Sequence, residues 1–133
     1  LRIWNNSALT HVDGLANLSS LGGAVNIGVN NALTHIDGLA NITSVVGDLY
    51  LWGNPSLANL DGLANLTSVG DRLGITYNDV LSNVDGLANL TSVGGDLLLH
   101  DNPGLCQSSV DAFIVTCTVA GAVQSICCNN SGC

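Results

Sequence analysis

The sequence has little charge and almost no basic character. Its 133 residues contain no Glu, Lys or Met, ten Asp face two Arg, and the formal net charge is -8. Nucleic-acid-binding and anionic-lipid-binding surfaces are basic, so this composition argues against both classes. No apolar run approaches the ~18 residues that a membrane-spanning helix needs. With 47% hydrophobic residues the chain is too apolar for disorder, and aromatic residues make up only 4% of it.

A repeat of 24 residues organises most of the chain. The tetrapeptide Asp-Gly-Leu-Ala recurs at this interval, starting at Asp13, Asp37, Asp61 and Asp85. A column of Asn keeps the same period, at Asn6, Asn30, Asn54, Asn78 and Asn102. Such a period predicts an all-β solenoid of about four to five stacked coils. Alternating apolar residues such as Leu49 and Leu51 predict a short strand with one buried face, and we expect the Asn column to be an internal hydrogen-bonded ladder.

The two ends of the chain differ from the repeats. We expect residues 1–105 to form the solenoid and residues 106–133 to form a Cys-rich C-terminal cap. A helix over 107–116 is expected to place Val110, Phe113 and Ile114 on one face, over the core of the last coil. The chain opens in mid-coil at Leu1, so we expect a preceding domain, a missing segment or a second subunit to stack there.

All the cysteines lie in the predicted cap. Their clustering favours disulfides in an oxidising compartment over a zinc site, whose ligand spacing is missing. The pairing is open, and an odd number leaves one thiol unpaired or bonded to another chain. The five residues are Cys106, Cys117, Cys127, Cys128 and Cys133.

The stretch Gly47-Asp-Leu-Tyr-Leu-Trp-Gly-Asn-Pro-Ser-Leu57 resembles a leucine-rich repeat. Two spacings differ from the usual pattern: Leu57 follows Asn54 by three positions rather than two, and Val45 precedes Leu49 by four rather than three. The other half of the repeat reads Asp-Gly-Leu-Ala-Asn-Leu-Thr-Ser-Val-Gly-Gly. Together with these two spacings, it resembles the receptor L-domain branch of leucine-rich repeats more closely. The resemblance covers roughly residues 1–105 and implies a right-handed single-stranded β-helix in a secreted or surface-exposed protein that binds or scaffolds. It carries over no catalytic residue.

Aromatic residues are concentrated on the outward positions of the predicted strands. Exposed aromatic rings near a basic residue are typical of a surface that binds sugar rings or a protein partner. The alternative is that these rings pack on one another. The candidate ligand- or partner-binding residues are Trp4, Tyr50, Trp52, Tyr77 and His100.

A second set of outward columns carries amides and hydroxyls. Six Asn-x-Ser/Thr sequons are possible glycosylation sites or, alternatively, repeated structural Asn residues, and they start at Asn5, Asn17, Asn41, Asn65, Asn89 and Asn129. The regular hydroxyl files also raise the alternative of an ice-binding solenoid, which would use Thr43, Ser44, Thr67, Ser68, Thr91 and Ser92.

Catalytic and metal sites find little support in the sequence. No acid pair, nucleophile elbow or phosphate loop appears, so we expect no enzyme and no cofactor. The Asp column fits turn or helix caps better than calcium ligands. His11 and His35 fall in one column, but a metal would need a third ligand, so we expect no metal.

These observations favour a non-catalytic extracellular or cell-surface module, structural or adhesive. We expect it to bind other protein chains or glycans, and to self-assemble into filaments or arrays through its open N-terminal end. The alternatives are the ice-binding solenoid and a soluble ligand-recognition domain of a larger surface receptor.

Overall fold

The computed structural model describes residues 1–124, whose backbone forms short strands that recur along the repeat. The strands are β1 (Arg2–Trp4), β2 (Val25–Gly28), β3 (Ser44–Val45), β4 (Leu49–Trp52), β5 (Ser68–Val69), β6 (Leu73–Thr76), β7 (Ser92–Val93), β8 (Leu97–His100), β9 (Thr118–Val119) and β10 (Val123–Gln124). Six of them form a parallel sheet in the order β1-β2-β4-β6-β8-β10. The other four form a second parallel sheet in the order β3-β5-β7-β9.

The sheet register follows the sequence period. Leu49 pairs with Leu73, and Leu73 pairs with Leu97, each 24 residues further along the chain. The spacing rises to 26 residues for the last strands, since Leu97 pairs with Val123 (123 − 97 = 26). Equivalent residues of successive repeats therefore stack directly on one another, and a residue type repeated in the sequence forms a continuous row in the structure.

Alternation along each strand separates a buried from an outward face. In β4, Leu49 and Leu51 are fully buried, whereas Tyr50 and Trp52 point outwards and stay partly exposed. Successive side chains of a strand point to opposite faces, so the apolar pair turns into the core and the aromatic pair turns out of it.

Each of the first four repeats also contains a 3₁₀ helix, at Asp13–Leu15, Asp37–Leu39, Asp61–Leu63 and Asp85–Leu87. The Asp side chains do not cap these turns. Instead the backbone closes them, as where Leu63 N donates to Leu60 O at 2.8 Å. The Gly after each Asp permits close stacking, because a Cβ on Gly62 would collide with the backbone carbonyl of Ile36 in the preceding repeat.

One apolar core runs through all the repeats. The Leu columns of the second to fourth repeats are almost fully buried, for example Leu33, Leu57 and Leu81 at 0% exposure. The helix α1 (Gln107–Thr116) adds to the same core through Val110 and Phe113, which matches the helix predicted over this range. Its N-cap is Cys106, without a side-chain capping bond.

The predicted Asn ladder is confirmed within the core. Asn30, Asn54, Asn78 and Asn102 are fully buried. The Oδ1 atom of Asn54 accepts from the backbone N–H of Asn30 at 3.1 Å, and its Nδ2 donates to Ile27 O at 3.0 Å. Each Asn side chain thus satisfies backbone groups of the preceding repeat, as buried polar groups require.

The predicted fold class, an all-β solenoid formed by a right-handed single-stranded β-helix, is wrong. Two separate parallel sheets of six and four strands are present, together with 3₁₀ helices and an α-helix. The physical reason lies in the Asp-Gly-Leu segment, where turn bonds such as Ala64 N to Asp61 O use donors that a strand would offer to its neighbour. That side of each repeat is therefore helical.

Of the two cysteines within residues 1–124, Cys106 is disulfide-bonded, which agrees with the predicted disulfide-bonded cap, whereas Cys117 is not. Cys117 is a buried free thiol, and burial raises its pKa. The predicted bonds of Cys127, Cys128 and Cys133, and the sequon at Asn129, lie outside the described residues.

Candidate ligand-binding face

The outward positions of the six-stranded sheet form one continuous surface, which we name the outer sheet face. Parallel pairing at constant register aligns these positions in two rows. One row contains Arg2, Asn26, Tyr50, Gly74 and Leu98, and the other contains Trp4, Gly28, Trp52, Thr76 and His100. No carboxylate occupies either row.

Trp52 is held against the sheet by two neighbours on β2. Its indole ring covers Gly28, and a Cβ at that position would collide with Nε1 of the ring. The same Nε1 donates to Asn26 Oδ1 at 3.0 Å. Gly28 below the indole ring and the Asn26 amide beside it therefore fix the orientation of the ring. The face of the ring that points away from the sheet stays accessible.

Tyr50 leans in the opposite direction, towards β6. The edge of its ring lies over Gly74, where a Cβ would collide with Cδ1. A side-chain hydrogen bond with Tyr50 is the largest cause that raises the pKa of Arg72, and the carboxylates of Asp71 and Asp96 add to the effect. This guanidinium also lies 3.8 Å from Asp96.

Trp4 lies at the β1 end of the face and is the most open of the strand aromatics, with 49% of its surface exposed. The guanidinium carbon of Arg2 lies 5.5 Å from the centroid of a Trp4 ring, a cation–π distance. Because Trp4 and Trp52 both pair with Gly28 in the sheet, the two indoles flank the same strand.

Tyr77 and His100 form a second aromatic cluster at one end of the outer sheet face, where His100 is the last residue of β8 and Tyr77 directly follows β6. Tyr77 has left-handed backbone geometry (φ 57°), and its ring meets His100 edge-on with centroids 6.3 Å apart. His100 Nδ1 lies 2.7 Å from Asp101 Oδ2, which orients the imidazole. Of the five predicted binding residues, the structure thus brings Trp4, Tyr50, Trp52 and His100 onto the outer sheet face, and Tyr77 contacts His100 at its edge.

Gly28, Gly74 and Asn26 fall on outward strand positions in the sequence, but their contacts with the aromatic rings were not predicted. The role of each appears only beside an aromatic residue of the adjoining repeat. Trp52 lies 24 positions after Gly28 and 26 after Asn26, and Tyr50 lies 24 positions before Gly74. An outward Gly next to an outward aromatic of the adjoining repeat is a signal that was available in the sequence.

The sequon residues make contacts between repeats. The Nδ2 atoms of Asn41, Asn65 and Asn89 donate to backbone carbonyls of the preceding repeat at 2.7, 2.9 and 2.7 Å. These Asn side chains are exposed but are also structural, which explains their repetition without glycosylation. Glycosylation of Asn5, Asn17 and the other sequons stays a prediction.

The Thr hydroxyl groups of the proposed ice-binding columns also form hydrogen bonds with the backbone. Thr67 Oγ1 donates to Thr43 O at 2.9 Å, and Thr91 Oγ1 donates to Thr67 O at 3.1 Å. Ser44, Ser68 and Ser92 are aligned by β3, β5 and β7 and are partly buried. The hydroxyl protons of these Thr residues are therefore used in hydrogen bonds between repeats. Ice binding stays a prediction.

His11 and His35 stack with centroids 5.7 Å apart and face the Asp column. His11 Nδ1 lies 3.2 Å from Asp13, and His35 Nδ1 lies 3.3 Å from Asp37. Within residues 1–124 no three His, Cys, Asp or Glu side chains are arranged as a metal site.

The first repeat is less covered than the others. Leu9, Leu15 and Ile3 are partly exposed, whereas the equivalents in later repeats are buried. Association of another chain or domain at this end stays a prediction.

Comparisons with protein-family models, curated proteins and solved structures found no match to this chain. The resemblance to leucine-rich repeats and receptor L-domains therefore also stays a prediction. In the part of the chain that the structure describes, no helix is long and apolar enough to cross a membrane.

Proposed function

We propose that this chain is a non-catalytic extracellular recognition and adhesion module whose outer sheet face binds a glycan. The observation that carries the proposal is the fixed Trp52 ring, which lies over Gly28 and is bonded to Asn26. Sugar rings stack on aromatic surfaces, and a ring whose orientation is already fixed loses little conformational entropy on binding.

The neighbours of Trp52 support the same interpretation. Trp4 adds a second exposed indole, while Arg2 and Asn26 add hydrogen-bond donors in the adjacent row. Apolar ring surfaces beside a few polar groups are the usual composition of ligand sites. A protein partner would use similar residues, but Gly28 and Gly74 let the rings of Trp52 and Tyr50 lie along the sheet, and a ring in that position offers its face to a sugar ring.

The test is binding of the purified chain to a glycan array, followed by calorimetry on the best ligand. Trp52→Ala should weaken binding at least about tenfold, which corresponds to ~1.4 kcal/mol. Trp52→Phe keeps an aromatic ring and should retain part of the affinity. Val115→Ala is the matched surface control, because Val115 is 86% exposed and lies on α1.

Circular dichroism should show an unchanged fold for all three variants, because Trp52 and Val115 lie outside the core. Glycan binding that is unaffected by Trp52→Ala would contradict the proposed site. The absence of any bound glycan, together with capture of a specific protein by the same face, would replace the glycan with a protein partner.

A further inference from the structure

The basic groups of this acidic chain are unevenly distributed. The net charge is -8, yet both Arg residues contact aromatic residues of the outer sheet face, Arg2 at Trp4 and Arg72 at Tyr50. The two rows of that face contain no Asp. The outer sheet face is therefore the part of the described surface best suited to a negatively charged group.

The two Arg residues differ in the acidic groups that their guanidinium groups contact. Arg72 has Asp96 at 3.8 Å as well as Tyr50. Arg2 is exposed, and none of the ion pairs among residues 1–124 involves it. A guanidinium presents a planar fork of N–H donors that fits a carboxylate in a bidentate manner. Arg2 is thus the guanidinium available to a ligand.

Asn26 supplies a second donor beside Arg2, because the two residues are paired across β1 and β2. The indole N–H of Trp52 can only donate, so Asn26 must present Oδ1 to it. That contact fixes the amide orientation and leaves Asn26 Nδ2 as a donor. Arg2 and Asn26 therefore form a row of donors directly beside the row that contains the Trp4 and Trp52 rings.

We propose that the ligand of this face is a glycan containing a uronic acid, whose carboxylate is bound by Arg2 and Asn26 while its sugar ring stacks on Trp52. This inference rests on the proposed function. A uronic acid carries its carboxylate at the edge of the sugar ring, so one residue contacts both rows. The acidity of the rest of the chain opposes a densely charged polyanion, and favours an isolated uronic acid among neutral sugars.

The test compares two disaccharides by calorimetry: glucuronic acid β-linked to glucose, and the neutral counterpart with glucose in place of glucuronic acid. The unmodified chain should bind the acidic disaccharide at least about tenfold more tightly. Arg2→Gln should bind both disaccharides equally, at the affinity of the neutral one. Arg2→Lys should restore part of the preference, since it keeps the charge but not the fork.

Arg72→Gln makes the same change in charge and should keep the preference for the acidic disaccharide. Equal binding of the two disaccharides by the unmodified chain would overturn the inference, and so would a preference that survives Arg2→Gln. If both disaccharides bind equally and Trp52→Ala abolishes that binding, the glycan-binding function stands and only the uronic acid is excluded. If neither disaccharide binds, the inference fails, and the glycan array decides separately on the proposed function.

Discussion

Replacing Asn54 by alanine removes one rung of the buried Asn ladder without touching the outer sheet face. Its Oδ1 accepts from the backbone N–H of Asn30 at 3.1 Å, and its Nδ2 donates to Ile27 O at 3.0 Å. Asn54 is fully buried, so water has no access to either group in the intact fold. Alanine leaves a buried N–H donor of Asn30 without its partner and removes a donor from Ile27 O.

The expected loss of stability follows from these two groups. A buried polar group left without a partner costs about 1–3 kcal/mol, so the change should lower the free energy of unfolding by roughly 2–6 kcal/mol. Domains of this size are usually stable by about 5–15 kcal/mol, so Asn54→Ala should fold but with a clearly lower midpoint.

Asn6→Ala is the matched control, because Asn6 belongs to the same column but is exposed. Its Nδ2 donates to Trp4 O at 3.1 Å, a contact that water is able to replace. We expect a cost below about 1 kcal/mol for this variant.

The measurement is urea unfolding at constant pH, followed both by tryptophan fluorescence and by far-UV circular dichroism. Coincident transitions justify a two-state free energy, and an unchanged m value shows that the variants expose the same surface on unfolding. The reasoning is refuted if Asn54→Ala and Asn6→Ala differ by less than about 0.5 kcal/mol, since their burial differs completely.

Two further predictions concern the glycine column and the buried thiol of Cys117. Gly62→Ala should destabilise the fold by several times more than Gly14→Ala in urea unfolding, because a Cβ at Gly62 would collide with the Ile36 carbonyl, whereas Gly14 faces open space; equal effects would show that stacking is not the constraint. Cys117 should resist alkylation in the native protein at pH 8 and react after denaturation, as mapped by mass spectrometry. Burial raises its pKa and lowers its thiolate fraction, so rapid native labelling would contradict the buried position.

The repeat made much of the architecture predictable from sequence. A constant 24-residue spacing forces equivalent columns to stack, and the pairing of Val25 with Leu49 confirms that register. The Asn ladder follows from the same spacing, because buried amide groups in a column must form hydrogen bonds with groups of the adjoining repeats. The outward position of Trp52 follows from simple alternation with Leu51.

Other parts of the fold left no readable signal. The strand Ser44–Val45 is only two residues long, too short for alternation to appear. The strands β9 and β10 escaped prediction because α1 changes the spacing from 24 to 26 residues. The contact of Trp52 with Gly28 and Asn26 depends on the direction in which a side chain leans across the sheet, which no periodicity encodes.

The Asn ladder has a direction, since each side chain reaches back to the repeat before it. Asn78 Oδ1 accepts from Asn54 N–H in the same way that Asn54 serves Asn30, so any rung fits any other. Deleting residues 55–78 would join Asn54 to Asp79 and let Asn102 take the place of Asn78. The length of the chain therefore changes in whole repeats, and the outer sheet face is expected to gain or lose one strand at a time.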